Sequence, residues 1–180
     1  MPFMSLIEQR RSIRKFSGRK IEPDKIDRLV EAALRAPSSR GFNPWRFVVV
    51  TSTDLLAQLA KSKPHGASFL KQARLGFVVC ADTARSDVWV EDASIAGIYL
   101  HLAATSLGLG SCWIQIRKRM HADNTSAGDY IRDLLVIPDH VAIEAIIAMG
   151  YPAEEKQPHP AGYLQYEKVF LNRYGRQYKT

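Results

Sequence analysis

Four short apolar segments with the composition of buried strands alternate along this chain with segments of helical periodicity. They are rich in the β-branched and other apolar residues that favour strands. The strand-like segments span residues 46–52, 76–82, 110–116 and 141–149. Because a sheet or a helix cannot bury its apolar face alone, interleaved strands and helices must share one core. The pattern therefore predicts an α/β or α+β domain.

The helical segments are defined by apolar spacing and by their end signals. From Ile26 to Leu34 the apolar residues recur at i, i+3, i+4, i+7 and i+8, Pro23 suits the first turn, and Pro37 ends the helix. Further helices are predicted over residues 5–9, 55–61, 88–107 and 128–135. The tail after Pro152 has little periodicity, so it must dock on another surface.

Length and composition favour one globular domain. The chain has 180 residues and 46% hydrophobic content, which argues against disorder, and we assign residues 1–180 to a single domain. Its longest apolar run, residues 88–107, is interrupted by Glu91, Asp92 and His101 and is therefore predicted to be a core helix rather than a membrane span.

The cysteines and the N-terminus indicate the expected compartment. Cys80 and Cys112 lie inside strand-like runs, and the N-terminus lacks the basic-then-apolar pattern of a signal peptide. We expect a cytoplasmic protein without a membrane partner.

Positive charge is concentrated at the two ends of the chain. The formal net charge is +7, and residues 1–20 hold six basic residues against one acidic residue, while residues 165–180 hold four against one. The segment between the ends is close to neutral. This distribution predicts an anion site if the fold joins the ends, and solvated tails or a nucleic-acid patch if it does not.

The basic turn from Arg10 to Arg14 is the first motif with chemical meaning. It places three guanidinium groups and the Ser12 hydroxyl within five residues, directly after a short helical segment. Arginine presents a fork of donors that matches phosphate, and a hydroxyl adds a further hydrogen bond. The motif taken alone allows both a phosphate grip and a solvated basic turn.

Two loops carry further candidate binding residues. The loop from Pro37 to Asn43 joins a helix to a strand and contains Ser38 and Ser39, which suit either a planar heterocycle or ordinary turn chemistry. The glycines of residues 107–114 follow a helix and precede a strand, the reverse of a dinucleotide-binding fingerprint. Gly108 is predicted to end the helix in a left-handed conformation, and Gly110 to permit close backbone approach.

Other chemistry finds little support. The five histidines show no metal-ligand spacing, and no nucleophile elbow or Walker loop is present. His101, between two leucines, is interpreted as a core or interface histidine, and no catalysis is assigned to Asp92 or to the acidic residues near it.

Taken together, the motifs resemble those of the FMN-dependent nitroreductase family over residues 4–176. No single motif is specific, but their order and separation are. The motifs are R-R-S-x-R at 10–14, P-S-S at 37–39, N-P-W-x-F at 43–47, V-V-C-A-D at 78–82, L-G-L-G-S-C-W-I at 107–114 and A-M-G-Y-P at 148–152.

The resemblance implies an α+β fold with a central, mainly antiparallel sheet wrapped by helices, and a C-terminal segment exchanged in a homodimer that holds FMN at its interface. The implied FMN-binding residues fall into four groups along the chain. They are Arg10, Arg11 and Ser12 for the phosphate, Arg14 for the pyrimidine edge, Pro37, Ser38, Ser39 and Asn43 from the opposing subunit, and Trp113, Ile114 and Gln115 along the ring.

Some residues depart from the family pattern or are placed less firmly by it. Gly41 stands where the family often has asparagine, and Asn43 stands where glutamine is more usual. The C-terminal cation of the phosphate site is assigned first to Lys168 and second to Arg173. A backbone amide near Gln115 or Ile116 is expected to face the hydride-accepting nitrogen.

The implied activity is hydride transfer from NADH or NADPH to a nitroaromatic or quinone-like acceptor by a ping-pong mechanism, with the chemistry carried by the flavin rather than by a side chain. Alternatives are a flavin-fragmenting or dehalogenating enzyme on the same scaffold, a flavin-binding protein without turnover, and a basic nucleic-acid-binding module. The physiological acceptor and the choice between the two nicotinamides stay open.

Overall fold

The computed structural model describes residues 2–178. Met1, Thr180 and Lys179, which is one of the four C-terminal basic residues, lie outside the described residues. The five helices are α1 Phe3–Gln9, α2 Pro23–Leu34, α3 Thr53–Leu59, α4 Trp89–Ser106 and α5 Ala127–Leu135. The six strands are β1 Trp45–Val50, β2 Leu75–Asp82, β3 Gly110–Gln115, β4 Met120–Ala122, β5 Thr125–Ser126 and β6 Val141–Gly150.

The main sheet has four strands in the order β1-β2-β6-β3, and every neighbouring pair is antiparallel. The strands β4 and β5 form a separate small ladder. Since β3 lies at the end of the order, one of its edges faces away from β6. The predicted α+β fold with a mainly antiparallel sheet is confirmed.

Helices cover both faces of this sheet. Residues of α2 and α4 pack with Phe77, Ile147 and Met149 on one face. Residues of α3 and α5 pack with Val78 and Ile146 on the other. The predicted arrangement of helices wrapped around a sheet is therefore confirmed.

A β-bulge interrupts β6 at Glu144. In the pairing of β6 with β2, Val79 lies opposite Ala145 and Cys80 lies opposite Ile143, so that Glu144 is an extra residue. The bulge reverses the alternation of side chains, so that Ile143 and Ile146 share one core cluster although they lie three positions apart, a spacing that puts residues of a regular strand on opposite faces.

Most predicted helices and strands are present with ends within two residues, and the loop glycines behave as expected. Gly108 ends α4 at φ +73°. A Cβ atom added at Gly110 would lie 2.8 Å from side-chain atoms of Ile13, which confirms close approach there. The β4–β5 ladder and the 3₁₀ turns at 39–41, 68–72, 161–163 and 166–168 were not predicted. Within residues 2–178, no helix has the length and hydropathy needed to cross a membrane.

Candidate functional site

The basic turn lies along the outer edge of β3. Ser12 forms a parallel bridge with Ser111, and the N–H of Ile13 donates to the Ser111 carbonyl at 3.0 Å. Two motifs that are about one hundred residues apart in the sequence thereby become adjacent. The start of β3 and the guanidinium-rich turn form one corner of the molecule.

A segment that the motifs did not single out, residues 154–157, completes this corner. Glu154 Oε1 accepts hydrogen bonds from the backbone N–H groups of Arg14 at 2.6 Å and Lys15 at 3.1 Å. Lys156 Nζ donates to the Ser12 carbonyl at 2.7 Å, and the Arg11 guanidinium donates to the carbonyl of Gln157. Nothing in the sequence pattern distinguished Lys156 from other surface lysines.

This corner carries net positive charge, although the Lys156 ammonium lies 3.4 Å from Glu154 Oε1. Among the ion pairs of residues 2–178, none involves the guanidinium groups of Arg10, Arg11 or Arg14. The hydrogen bond from the backbone of Arg14 lowers the pKa of Glu154, which keeps that carboxylate ionised and engaged with the backbone. Guanidinium groups, an ammonium and a hydroxyl are the kinds of donor that suit a phosphate dianion. The Arg14 guanidinium lies over the Phe69 ring, 5.9 Å from its centroid.

The loop after α2 is held by its own side chains and by α4. The Ser38 hydroxyl donates to Asn43 Oδ1 and accepts from the Asn43 N–H, both at 2.8 Å. Asn43 adopts a φ of +46°, which asparagine tolerates. Ser39 donates its backbone N–H to Asp92 Oδ1 at 2.7 Å. Pro37 and Asn43 are exposed, and the two serines are half-buried.

The side chains of β3 divide between two faces. Trp113 and Gln115 are half-buried, and Trp113 packs against Gly97 of α4 and lies 6.5 Å, between ring centroids, from His101. Ile114 is completely buried in the opposite core cluster. A ligand on the open side of the strand can therefore contact Ile114 only through its backbone.

The backbone of β3 distinguishes the two predicted amides. Successive N–H groups along a strand point to opposite edges. Ile116 donates its N–H to the Glu144 carbonyl at 3.1 Å, towards β6, whereas the Ser111 carbonyl faces Ile13 on the other edge. Gln115 lies four residues after Ser111, so its N–H points to the same edge as the Ser111 carbonyl, away from β6. Of the two backbone amides predicted to face the hydride-accepting nitrogen, that of Ile116 is therefore excluded and that of Gln115 is available.

Side chains near this corner are poorly suited to act as nucleophile or base. Burial raises the pKa of the Cys112 thiol, against opposing effects of Arg14 and Ser12. Burial, with a smaller effect of Arg10, lowers the pKa of His101 to about 4, and its Nδ1 lies 2.7 Å from the Ser111 hydroxyl. Among the described residues, no cluster of three or more His, Cys, Asp or Glu side chains could hold a metal ion.

The two C-terminal cations predicted to complete the phosphate site make their observed contacts within the tail and not with the cationic corner. Lys168 donates to Gln165 in its own turn, and Arg173 donates its N–H to the Leu171 carbonyl. The tail nevertheless exposes large apolar and aromatic side chains. These are Tyr163, Leu164, Tyr166, Val169, Leu171, Tyr174 and Tyr178.

Comparisons with known proteins agree on one family. The model of the Nitroreductase family matches residues 7–64 and 60–151. An Archaeoglobus fulgidus protein, provisionally named NADH dehydrogenase/NAD(P)H nitroreductase, is 35% identical over 88% of this chain and 90% of its own length. A Methanothermobacter thermautotrophicus protein of the same provisional name is 37% identical over 86% of this chain and 79% of its own.

A solved structure supports the same conclusion. The FMN-dependent nitroreductase from Clostridium difficile is 45% identical, with a TM-score of 0.94 over 95% of this chain and 99% of its own. The fold and the cationic corner thus define an α+β protein of the nitroreductase type. This chain belongs to the nitroreductase family.

Proposed function

We propose that this protein is an FMN-dependent oxidoreductase that passes hydride from NADH or NADPH to nitroaromatic or quinone-like acceptors by a ping-pong mechanism. Relatives named NAD(P)H nitroreductase and FMN reductase support the general activity. A Desulfovibrio desulfuricans relative, 25% identical with a TM-score of 0.74, is described as a nitroreductase in complex with FMN. The observation that carries the proposal is the bridge between Ser12 and Ser111, which joins the cationic turn to the open edge of β3.

The cationic corner would hold the phosphate of FMN. Arg10, Arg11 and Ser12 supply charged donors and a hydroxyl, and Lys156 joins them through its bond to the Ser12 carbonyl. In this proposal Lys156 is an additional cation of the site, and Lys168 and Arg173 stay candidates for a contribution from the opposing subunit. Charge-assisted hydrogen bonds of this kind are the strong ones in proteins.

The edge of β3 and the loop after α2 would hold the ring. The free N–H of Gln115 is a donor for the ring edge, the indole of Trp113 supplies an apolar wall, and Ile114 contributes its backbone. Arg14 would stabilise negative charge on the pyrimidine side. Pro37, Ser38, Ser39 and Asn43 are proposed to reach the ring of the opposing subunit.

A homodimer with exchanged C-terminal tails is part of the proposal. Side chains on the outer surfaces of α1 and α4 are apolar and exposed, including Phe3, Met4, Ile95, Ile98 and Tyr99. Between these helices lies an apolar cavity of about 320 Å³. An apolar surface of this kind, together with an exposed aromatic tail, suits association of two copies.

Bound FMN would supply the hydride chemistry, receiving hydride from the nicotinamide and giving it to the acceptor in a separate half-reaction. The side chains of this protein bind and orient the cofactor. His101 is neutral at neutral pH and Cys112 is a buried thiol, so neither provides a base or nucleophile. An apolar slot with few directional groups discriminates weakly between acceptors.

The visible spectrum of the purified protein tests the proposal. We expect bound FMN that bleaches with NADH or NADPH and recovers its colour when a quinone or nitroaromatic is added. Colourless protein that retains DNA in a salt-sensitive manner would support the nucleic-acid alternative instead. Colour that neither nicotinamide bleaches would support a binding protein, and breakdown of the flavin would support the fragmenting enzyme.

The combined variant Arg10→Ala and Ser12→Ala tests the phosphate site. Loss of two charge-assisted contacts of about 1.5–3 kcal/mol each predicts an FMN affinity at least ~100-fold weaker. The combined variant Lys20→Ala and Arg28→Ala, which removes exposed basic residues outside the corner, should bind FMN as the wild type does. Equal FMN occupancy in both variants after dialysis would contradict the assignment.

A further inference from the structure

Glu144 is a buried carboxylate whose position depends on the bulge in β6. Its side chain is 5% exposed, and it is the extra residue between Ile143 and Ala145. Bulges re-aim side chains and are frequent beside active sites. Here the bulge places the Glu144 carboxylate beside Gln115 and Arg117 at the end of β3.

The partners of Glu144 are three successive residues of the chain. Its Oε2 accepts from Arg117 Nε at 2.9 Å, and its Oε1 accepts from Gln115 Nε2 at 3.2 Å. Its backbone carbonyl accepts the N–H groups of Ile116 at 3.1 Å and Arg117 at 3.0 Å. Arg117 compensates the buried charge, as a buried carboxylate requires.

The donor and acceptor character of its partners fixes the orientation of the Gln115 side-chain amide. The indole N–H of Trp113 is only a donor, and it lies 2.9 Å from Gln115 Oε1. The Glu144 carboxylate and the Arg117 carbonyl are only acceptors, and they face Gln115 Nε2. Reversal of the amide would place donor against donor and acceptor against acceptor.

We propose that Glu144 is a positioning residue for the flavin site, acting through Gln115 and Trp113. This inference rests on the proposed function. Glu144 holds the Gln115 side chain, and Gln115 in turn holds the indole of Trp113 and the end of the strand that presents the Gln115 N–H. The ring of the cofactor would therefore contact a Gln115 N–H and a Trp113 indole whose positions are fixed by Glu144.

A double-mutant cycle at positions 115 and 144 tests this chain of contacts. Glu144→Gln gives its amide two donors, Gln115 and Arg117, but only one acceptor oxygen to receive them. Gln115→Glu places two carboxylates in direct contact. The combined exchange restores the pairing between the two side chains, because Gln at 144 accepts from Arg117 and donates to Glu at 115, which also accepts from Trp113. Recovery is partial, because Glu at 115 cannot donate to the carbonyls of Arg117 and Glu144, which accept from Gln115 Nε2 at 3.2 and 3.4 Å.

We expect each single variant to raise the FMN dissociation constant at least ~10-fold and to alter the visible circular dichroism of the bound flavin. The exchanged pair should bind FMN more tightly than either single variant, with a more negative flavin potential because a carboxylate then stands at position 115. Glu22→Gln is the control, since this carboxylate is hydrogen-bonded by Tyr151 in another part of the molecule. This variant should change the stability of the protein without changing its FMN dissociation constant.

Two results would overturn the inference while the proposed function stands: wild-type affinity and dichroism in both single variants, or an exchanged pair no better than the worse single variant. If Glu144→Gln does not fold, Gln115→Met replaces it, because that change removes the amide and leaves the Glu144–Arg117 pair intact. Its flavin dichroism must then differ from the wild type. Failure of the wild type to bind FMN would instead refute the proposed function.

Discussion

Asp92 and Ser39 are joined by a hydrogen bond of 2.7 Å between the carboxylate of the first and the backbone N–H of the second. The other carboxylate oxygen accepts from the Ser86 hydroxyl at 2.9 Å. Asp92 is buried in the first turns of α4, and the bond anchors the loop after α2 to that helix. An acidic residue without an assigned catalytic role therefore positions a candidate binding loop.

Asp92→Asn should destabilise the protein by about 1–3 kcal/mol, because the amide cannot accept both hydrogen bonds and leaves a buried donor unpaired. Equilibrium unfolding in denaturant measures the change. Asp87→Asn, at an exposed position of the same acidic cluster, should have almost no effect. Equal losses in the two variants would show that the bond to Ser39 contributes nothing.

Gly97→Ala tests the packing of Trp113 on α4. An added Cβ would lie 2.5 Å from Trp113 Cζ3, so the indole must move, at a cost of about 1–3 kcal/mol. Thermal unfolding measures the loss, and FMN binding measures the consequence of moving the indole. Gly128→Ala in α5 is the matched control, since its nearest contact is an ordinary 3.6 Å and alanine favours a helix. Because alanine favours a helix at position 97 as well, the two variants are compared with each other, and an equal change of melting temperature in both would refute this packing.

His101 makes stability depend on pH. Its pKa is about 4 in the folded protein, against 6.5 as the reference for the unfolded chain, chiefly because of burial. As the pH falls from 6.5 towards 4, the unfolded chain binds a proton that the folded protein does not. His101 therefore contributes a stability loss of up to about 1.4 kcal/mol per pH unit in that range.

Denaturant unfolding of FMN-free wild type and His101→Gln between pH 7 and 4 measures this dependence. We expect a shallower dependence for His101→Gln, whereas His140→Gln, at an exposed position, should follow the wild type. Parallel curves for wild type and His101→Gln would contradict the lowered pKa.

Tyr151 and Glu22 join the end of β6 to the start of α2. The Tyr151 hydroxyl donates to Glu22 Oε2 and is the largest cause of a Glu22 pKa lowered to about 2, with Arg19 contributing. The stabilisation is present above pH 4.5 and is lost as the pH falls through about 2. In Tyr151→Phe the pKa of Glu22 should rise, as measured by NMR titration of the carboxyl carbon, while FMN binding should be unaffected. An unchanged pKa would mean that the hydroxyl does not contact Glu22 in solution.

Local sequence patterns predicted most of the helices and strands of this fold. The helix over Pro23–Leu34 has the predicted bounds, and the glycine at 108 takes the left-handed conformation expected after α4. These features depend on residues close together in the chain, such as apolar spacing, a proline at a first turn and a glycine free of Cβ strain. The resemblance to the family depended in the same way on short motifs in a fixed order.

Part of the site was predictable because some of its residues belong to short local motifs. Arg10, Ser12 and the residues of β3 stood out as motifs, whereas Lys156 stood in an ordinary charged segment. Its importance arises only when the chain after β6 returns beside Ser12. Likewise, the choice of Gln115 over Ile116 required knowing which edge of β3 faces β6.

The segment over 141–149 shows most clearly which features the local sequence determines and which depend on the tertiary structure. Its apolar composition by itself determined that it forms a buried strand, since burial of such residues is favourable in almost any arrangement of the sheet. Only the tertiary structure decided that Glu144 is a bulged residue facing Gln115 and Arg117. A one-residue shift in register is fixed by the packing of both neighbouring strands and by the need to pair a buried charge, neither of which is encoded within the segment itself.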